Sequence, residues 1–513
     1  MRVSTNGGLV TENWFDLNAS RYTPSSTLQR MELLKTGYMG TLSLGWDNYL
    51  FLELTGRQER SSTLKDQSFF YPSTNLSFLF TQAFHMPSWW NYGKLRLSYG
   101  IVGNAPETYT ANIVYEQGSD NGFTWNTIPS SWGNADIRPE KKYEYEIGLE
   151  SKFLNNRLGI DISYYNNRVK DQILSTPQPS TSGVKNVLMN VGEVANRGWD
   201  ISISATPILT RDFRWDLTAN YGVYKNKVVK LADGVPYLEI LNSGGSGIKI
   251  QAVEGQPMGD IYAQVPQVNE NGEYLVSDKG LYLNQTELQK VGNINPAGVG
   301  GLFNSFSYKN VFLDFSIDFR IGGDVINEMN QYATAVGLTP ESLKYRDTEH
   351  GGLSYYYPGD NNSSGIPVQV DPSTGAGPNG EIIYHDGIIL PGVVASTGER
   401  NTRIIPAGYY YNTTYNWGTE AEQLTYRHSV FDNSYVKLRE LTIGYQFPEK
   451  MISKLGLGRL SVSVFGRNLF YFYKALKNYD AESSVGTSWA NQATVGSSTT
   501  ATRSFGVSLR ASF

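Results

Sequence analysis

The sequence predicts an all-β protein, an antiparallel transmembrane β-barrel of about 13 strands with long extracellular loops. Three observations carry that expectation. Apolar and polar residues alternate with period 2 along most of the chain, and helical periodicity is nearly missing. The connections between alternating segments are short and long in turn, the layout of an outer-membrane barrel. Aromatics make up 13% of the 513 residues, with 35 Tyr and 52 Gly, which suits strands, wide loops and interfacial aromatic belts.

The strands are expected near 30–46, 49–61, 71–84, 93–104, 141–153, 158–172, 193–206, 213–227, 299–308, 311–323, 435–447, 459–471 and 501–513. The clearest is YEYEIGLESKF. Tyr143, Tyr145, Ile147, Leu149 and Phe153 share one face, and Glu144, Glu146, Glu150 and Lys152 share the other. A turn at Leu154–Arg157 leads to Leu158, Ile160, Ile162 and Tyr164, again alternating with polar neighbours. Leu313, Phe315, Ile317 and Phe319 oppose Asp314, Ser316, Asp318 and Arg320, and Trp215, Leu217 and Ala219 oppose Asp216, Thr218 and Asn220. Charges on every second residue fit a wet lumen, because a dry soluble core would have to pair each of them. The chain closes on SFGVSLRASF, where Phe505, Val507, Leu509, Ala511 and Phe513 form an apolar row suited to lipid.

The largest loop is expected at 324–433, with a further extracellular hairpin near 259–276. No apolar run approaches the roughly 18 to 20 residues of a membrane helix. MRVSTNGGLV has neither the apolar core nor the cleavage pattern of a signal peptide. An even-stranded barrel has both termini at its short-turn end, so an odd strand count points to the back part of a larger barrel, with an open sheet edge that lipid does not tolerate.

Other classes are disfavoured. A net charge of −5 gives no basic footprint for nucleic acid, and with no Cys there is no thiol nucleophile or zinc-thiolate site. Glu144, Glu146 and Glu150 share a face as any lumen row would, so they do not read as catalytic carboxylates. His85, His350, His385 and His428 lack metal-ligand spacing, and no metal, cofactor or catalytic residue is assigned. Asp360, Asn362, Ser364 and Asp371 mimic a calcium loop weakly, with Asp where the last ligand should be Glu and Pro367 intruding. Gly298, Gly300 and Gly301 read as flexible backbone at a strand entrance. The better binding candidates are aromatics in long loops: Trp125, Tyr355, Tyr356, Tyr357, Tyr409, Tyr410 and Trp417, whose faces could stack on sugar rings or pack among the loops. Trp89 and Trp90 lie in a short turn and read as interfacial anchors.

Several stretches together resemble a known family. DNYLFLELTGRQERSST (47–63), FFYPSTNLSFLF (69–80), GKLRLSYGIVGN (93–104), RPEKKYEYEIGLESKFLNNRLGIDISYY (138–165), NVGEVANRGWDISI (190–203) and GGLFNSFSYKNVFLDFSIDFRIGG (300–323) resemble the barrel of SusC/RagA-type TonB-dependent transporters. NSYVKLRELTIGYQFP (433–448) and GRNLF (466–470) resemble its final strands. The resemblance implies the last part of a barrel of about 22 strands, in the outer membrane of a Gram-negative bacterium. It implies import of oligosaccharides, less often oligopeptides, driven by TonB through a plug domain not present here, under a SusD-like lipoprotein lid. It further implies that Phe505, Val507, Leu509 and Phe513 serve as the signal read by the barrel-assembly machinery. A plugless diffusion porin and a surface adhesin that binds partner proteins through its loops are the alternatives.

Overall fold

The computed structural model describes residues 2–27, 30–65, 68–120, 123–232, 234–243, 247–359, 365–416, 425–483, 489–495 and 501–512. Thirteen strands form one antiparallel sheet: β1 Lys35–Trp46, β2 Leu50–Ser61, β3 Ser68–Phe78, β4 Trp90–Asn104, β5 Glu140–Phe153, β6 Leu158–Lys170 and β7 Glu193–Leu209. The remainder are β8 Phe213–Lys230, β9 Gly298–Tyr308, β10 Val311–Ile321, β11 Tyr435–Gln446, β12 Arg459–Lys474 and β13 Ser504–Ser512. Each strand pairs with its neighbours in sequence, and among the described residues no ladder joins β1 to β13.

All thirteen expected strands are present, with shifted ends. β3 stops at Phe78, because Phe80–Ala83 makes a single helical turn, and β8 runs on to Lys230. A hairpin of Arg2–Leu9 and Ser20–Thr27, outside the large sheet, is not among the expected strands. The short connections are tight. Asp47 and Asn48 join β1 to β2 with φ of 47° and 57°, the double left-handed turn that matches strand twist.

Register sorts the faces. Leu149 pairs with Leu95 and Ile162, and Ile147 with Leu97 and Tyr164, giving an apolar outer row. One residue away, Glu150 pairs with Lys94 and Asp161, and Gly148 with Arg96 and Ser163, giving a polar inner row. At the short-turn end Trp89 stacks on Trp90 and on Phe153 at 6.0 and 5.9 Å, an aromatic group of the kind that anchors a barrel at a membrane interface.

The three glycines of PAGVGG lie in or beside β9 and supply room rather than flexibility. A Cβ on Gly300 would stand 2.4 Å from the Asn220 carbonyl oxygen and 2.5 Å from Phe319, and one on Gly298 would stand 2.4 Å from the Tyr221 hydroxyl. Their bare backbone lets Tyr221 and Phe319 stack at 6.2 Å across it.

The dry core lies in the loops. Ile248, Ile250, Ile261 and Ile294 from the β8–β9 connection pack with Ile326, Tyr426 and Val430 from β10–β11 and with Ala490 and Ala493 from β12–β13. The stretch near 259–276 contributes Asp260–Ala263 to a four-stranded sheet and makes a tight turn bridged from Val268 to Tyr274. Its end, Leu275–Val276, pairs in parallel with Val393–Val394 of the largest loop. Two helices, Glu328–Ala335 and Ala407–Tyr415, pack against each other within that largest loop.

Candidate functional site

Two surfaces meet at the long-loop end: the polar inner wall of the sheet and the folded loops above it. The wall is charged, with ion pairs both across strands and within them. Arg96 of β4 places two guanidinium nitrogens on Asp161 of β6, at 2.6 and 3.2 Å, and one of them also donates to Ser163. Glu150 stands 3.5 Å from the same guanidinium. Fork geometry of this kind fixes direction as well as charge. Beside it, a hollow of about 660 Å³ is lined by Arg96, Asp161, Asp200, Asn220, Asp318 and Arg320 among others. Further along, Arg467 donates to Glu440 at 2.9 Å, and Asn167 bridges Glu144 and Asn196.

At β11 the wall reaches into the mouth. Arg439 is a bulge residue, which turns it toward Asp318 of β10 and toward Glu482 in the β12–β13 connection. Lys437, almost fully buried, donates to the same Glu482 at 2.6 Å. Burial alone would raise the Glu482 carboxyl, but the hydrogen bonds from Arg439 and Lys437 outweigh it and draw it down to about 2. Tyr471 donates to Asp480 at 2.9 Å, and Lys474 to the Tyr479 carbonyl at 2.7 Å. The segment after β12 is thereby latched onto the wall.

The loop aromatics divide. Tyr355 and Tyr357 are buried and pack at 5.5 Å around Ile404, with Tyr384 stacked on Tyr355. Tyr355 also donates to Asp386 at 3.1 Å. They hold a small four-stranded sheet together and present no free face, so they are core residues rather than ligand contacts. Tyr356 is half-buried beside them. Tyr410 sits among Tyr411 and Tyr415, and burial raises its hydroxyl well above the usual range. Tyr415 stacks in turn on His428 at 4.4 Å, and burial holds that imidazole down to about 4. Tyr409, on the outer side of the same helix, is 38% exposed, and Trp125 is 45% exposed on the hairpin of Glu116–Asp120 and Phe123–Thr127. Both side chains remain exposed, the Trp125 ring lying against Gly118 of the paired strand. Trp417 lies outside the described residues.

Of the calcium-like loop, Asp360, Asn362 and Ser364 lie outside the described residues. Asp371 is engaged locally, accepting from the Ser373 hydroxyl and backbone amide at 2.5 and 2.9 Å. In β13, Phe505, Val507 and Leu509 are 74%, 72% and 69% exposed on the outer face, and Phe513 lies outside the described residues. The latch at Glu482 had no signal in the sequence, because its partners lie 43 and 45 residues away along an aperiodic loop.

An apolar outer face, a charged inner face and folded loops at one end are the features of an outer-membrane β-barrel wall. The comparisons make this specific. Residues 5–269 match the family model described as TonB dependent receptor-like, beta-barrel, and the chain belongs to that family, which consists of outer-membrane receptors rather than enzymes. It is 24% identical over 494 residues to TonB-dependent receptor P3 of Formosa agariphila, covering 88% of this chain and 42% of the relative. It is 30% identical over 247 residues to TonB-dependent receptor SusC of Bacteroides thetaiotaomicron, covering 44% of this chain and 24% of SusC. Among solved structures, the RagAB peptide transporter superposes with a TM-score of 0.65 at 18% identity, over 92% of this chain and 48% of that one, a likeness of fold. The chain thus spans less than half the length of these relatives.

Proposed function

We propose that this chain forms the rear wall and mouth of a SusC-like importer that moves oligosaccharides, rather than oligopeptides, into the periplasm. The observation that carries the reading is the join between the two surfaces. Loops from three connections share one core, and one of them is tied by Glu482 to the charged lumen wall. A rigid mouth over a wet wall suits capture outside followed by passage inward. Import would draw on TonB through a plug domain, under a SusD-like lipoprotein lid. The glycan preference rests on the exposure of Tyr409 and Trp125, since a ring face stacks on the C–H face of a sugar while neighbouring amides meet its hydroxyls. RagAB, the structural neighbour, is a peptide transporter, so peptide is the competing substrate class.

The test is uptake by cells expressing the whole gene product with its neighbouring lipoprotein. Labelled oligosaccharides should accumulate only when TonB is present, and Trp125→Ala with Tyr409→Ala should slow uptake by about tenfold. Uptake of peptides but not glycans under the same conditions would overturn the substrate assignment.

A further inference from the structure

The outer face is apolar through its middle; at its long-loop end charge stands singly on β2, as Arg60, and densely on β6, β7 and β8. At the long-loop end of β6, β7 and β8 the outward rows read Tyr164–Trp199–Val223, then Asn166–Arg197–Lys225, then Arg168–Ala195–Lys227, then Lys170–Glu193–Lys230. Tyr164 and Trp199 touch at 4.8 Å, marking an aromatic step. Immediately beyond it stand Arg168, Lys170, Arg197, Lys225 and Lys227, all exposed. Against them these rows set one acid, Glu193, which accepts from Arg168 at 2.9 Å. Two other outward strand ends at this level are apolar, Ile321 of β10 and Phe470 of β12, at 49% and 45% exposure. A groove of about 850 Å³ is lined by Arg168, Arg197, Lys225 and Lys227 of these strands and by Asp260, Lys290 and Asp324 of the loops.

We propose that this patch binds a phosphate-bearing lipid of the outer leaflet, with its acyl chains against the apolar rows and its phosphates in the basic rows. The order of the rows carries the argument, because apolar, aromatic and basic surface follow one another along the membrane normal as the layers of such a lipid do. A soluble anion would be met by the basic rows alone and would have no use for the apolar surface beneath them. Long basic side chains at this depth reach the headgroup region while their stems stay against hydrocarbon.

The experiment is native mass spectrometry of the detergent-solubilised whole gene product, titrated with diphosphorylated lipid A, with the same lipid stripped of phosphate, and with inorganic phosphate. Lipid A should form a discrete adduct, and the stripped lipid should bind at least about tenfold more weakly. Replacing Arg168, Arg197, Lys225 and Lys227 with Gln should weaken the lipid A adduct by at least about tenfold, while Arg211→Gln with Lys309→Gln at the short-turn end should leave it intact. Equal binding of both lipids, or a fourfold variant that binds as the parent does, overturns the proposal. So does inorganic phosphate displacing lipid A, which would mark a soluble-anion site. Should the fourfold variant fail to fold, salt decides on the parent chain. The adduct must weaken as ionic strength rises about tenfold, and an adduct indifferent to salt overturns the proposal.

Discussion

Glu482 shows how much one side chain can hold. It takes hydrogen bonds from Lys437 and Arg439, and the buried ammonium of Lys437 depends on it for charge balance. Glu482→Gln should therefore cost about 1–3 kcal/mol of loop stability, less than a fully buried pair would because Glu482 keeps a third of its side chain in water. The pH dependence follows from the same contacts. The folded carboxyl titrates near 2 and the free one near 4.5, so the latch contributes fully above about pH 4.5 and is lost as pH falls toward 2. Hydrogen exchange over residues 475–483 should report both effects as lower protection relative to the intrinsic rate at each pH, in Glu482→Gln at neutral pH and in the parent at pH 3. Unchanged exchange in the variant would show that the ion pair does not hold the loop. Little of this was legible in the sequence. Tyr355 and Tyr409 look alike in composition and setting, yet one is sealed beneath Tyr384 and the other stays exposed. Which tyrosine faces outward depends on loop packing that has no period to read.

Strands are where the sequence spoke most plainly. A half-wet, half-lipid strand must alternate, and a slip of one residue would put Glu150 into lipid and Leu149 into the lumen, so pattern and register are locked together. The helices fared differently. Ala407–Tyr415 is mostly Tyr and Thr, with no apolar stripe, and it is held by its neighbours rather than by propensity. Two glycine substitutions test opposite sides of this. Gly300→Val should destabilise the β8–β9–β10 region by about 1–3 kcal/mol, because the new methyls meet the Asn220 carbonyl and the Phe319 ring. A Cβ on Gly408 in the helix would meet nothing within 4 Å, so Gly408→Ala should stabilise by a few tenths to about 1 kcal/mol. Thermal unfolding of both variants beside the parent checks the pair. A neutral Gly300→Val would mean that the Tyr221–Phe319 stack can move aside.

At the scale of the molecule, two kinds of stability coexist. The sheet is held by ladders and by its membrane setting, and the loops by a dry core of their own. Ile261 is fully buried at the centre of that core. Ile261→Ala should cost the loops about 2–5 kcal/mol. Limited proteolysis should then cut the β8–β9, β10–β11 and β12–β13 connections together, with the strands untouched. Cleavage confined to the β8–β9 connection would mean that the three loops are independent. The layout of short turns and long loops was readable because barrel topology imposes it. The pooling of three loops into one core was not, since contacts such as Gly247 against Tyr426 join residues far apart in sequence.

That pooling constrains how such a receptor can be rewired. Between Gly247 and Tyr426 there is no space even for a methyl group, and Thr494 bridges to Ile326 from a third connection. A graft of one loop from a relative would bring half of each interlock and leave the other half unmatched. Chimaeras that exchange the three connections as a set should assemble where single exchanges fail. New specificity in this architecture is then inherited in blocks, with distant stretches of the gene obliged to change together.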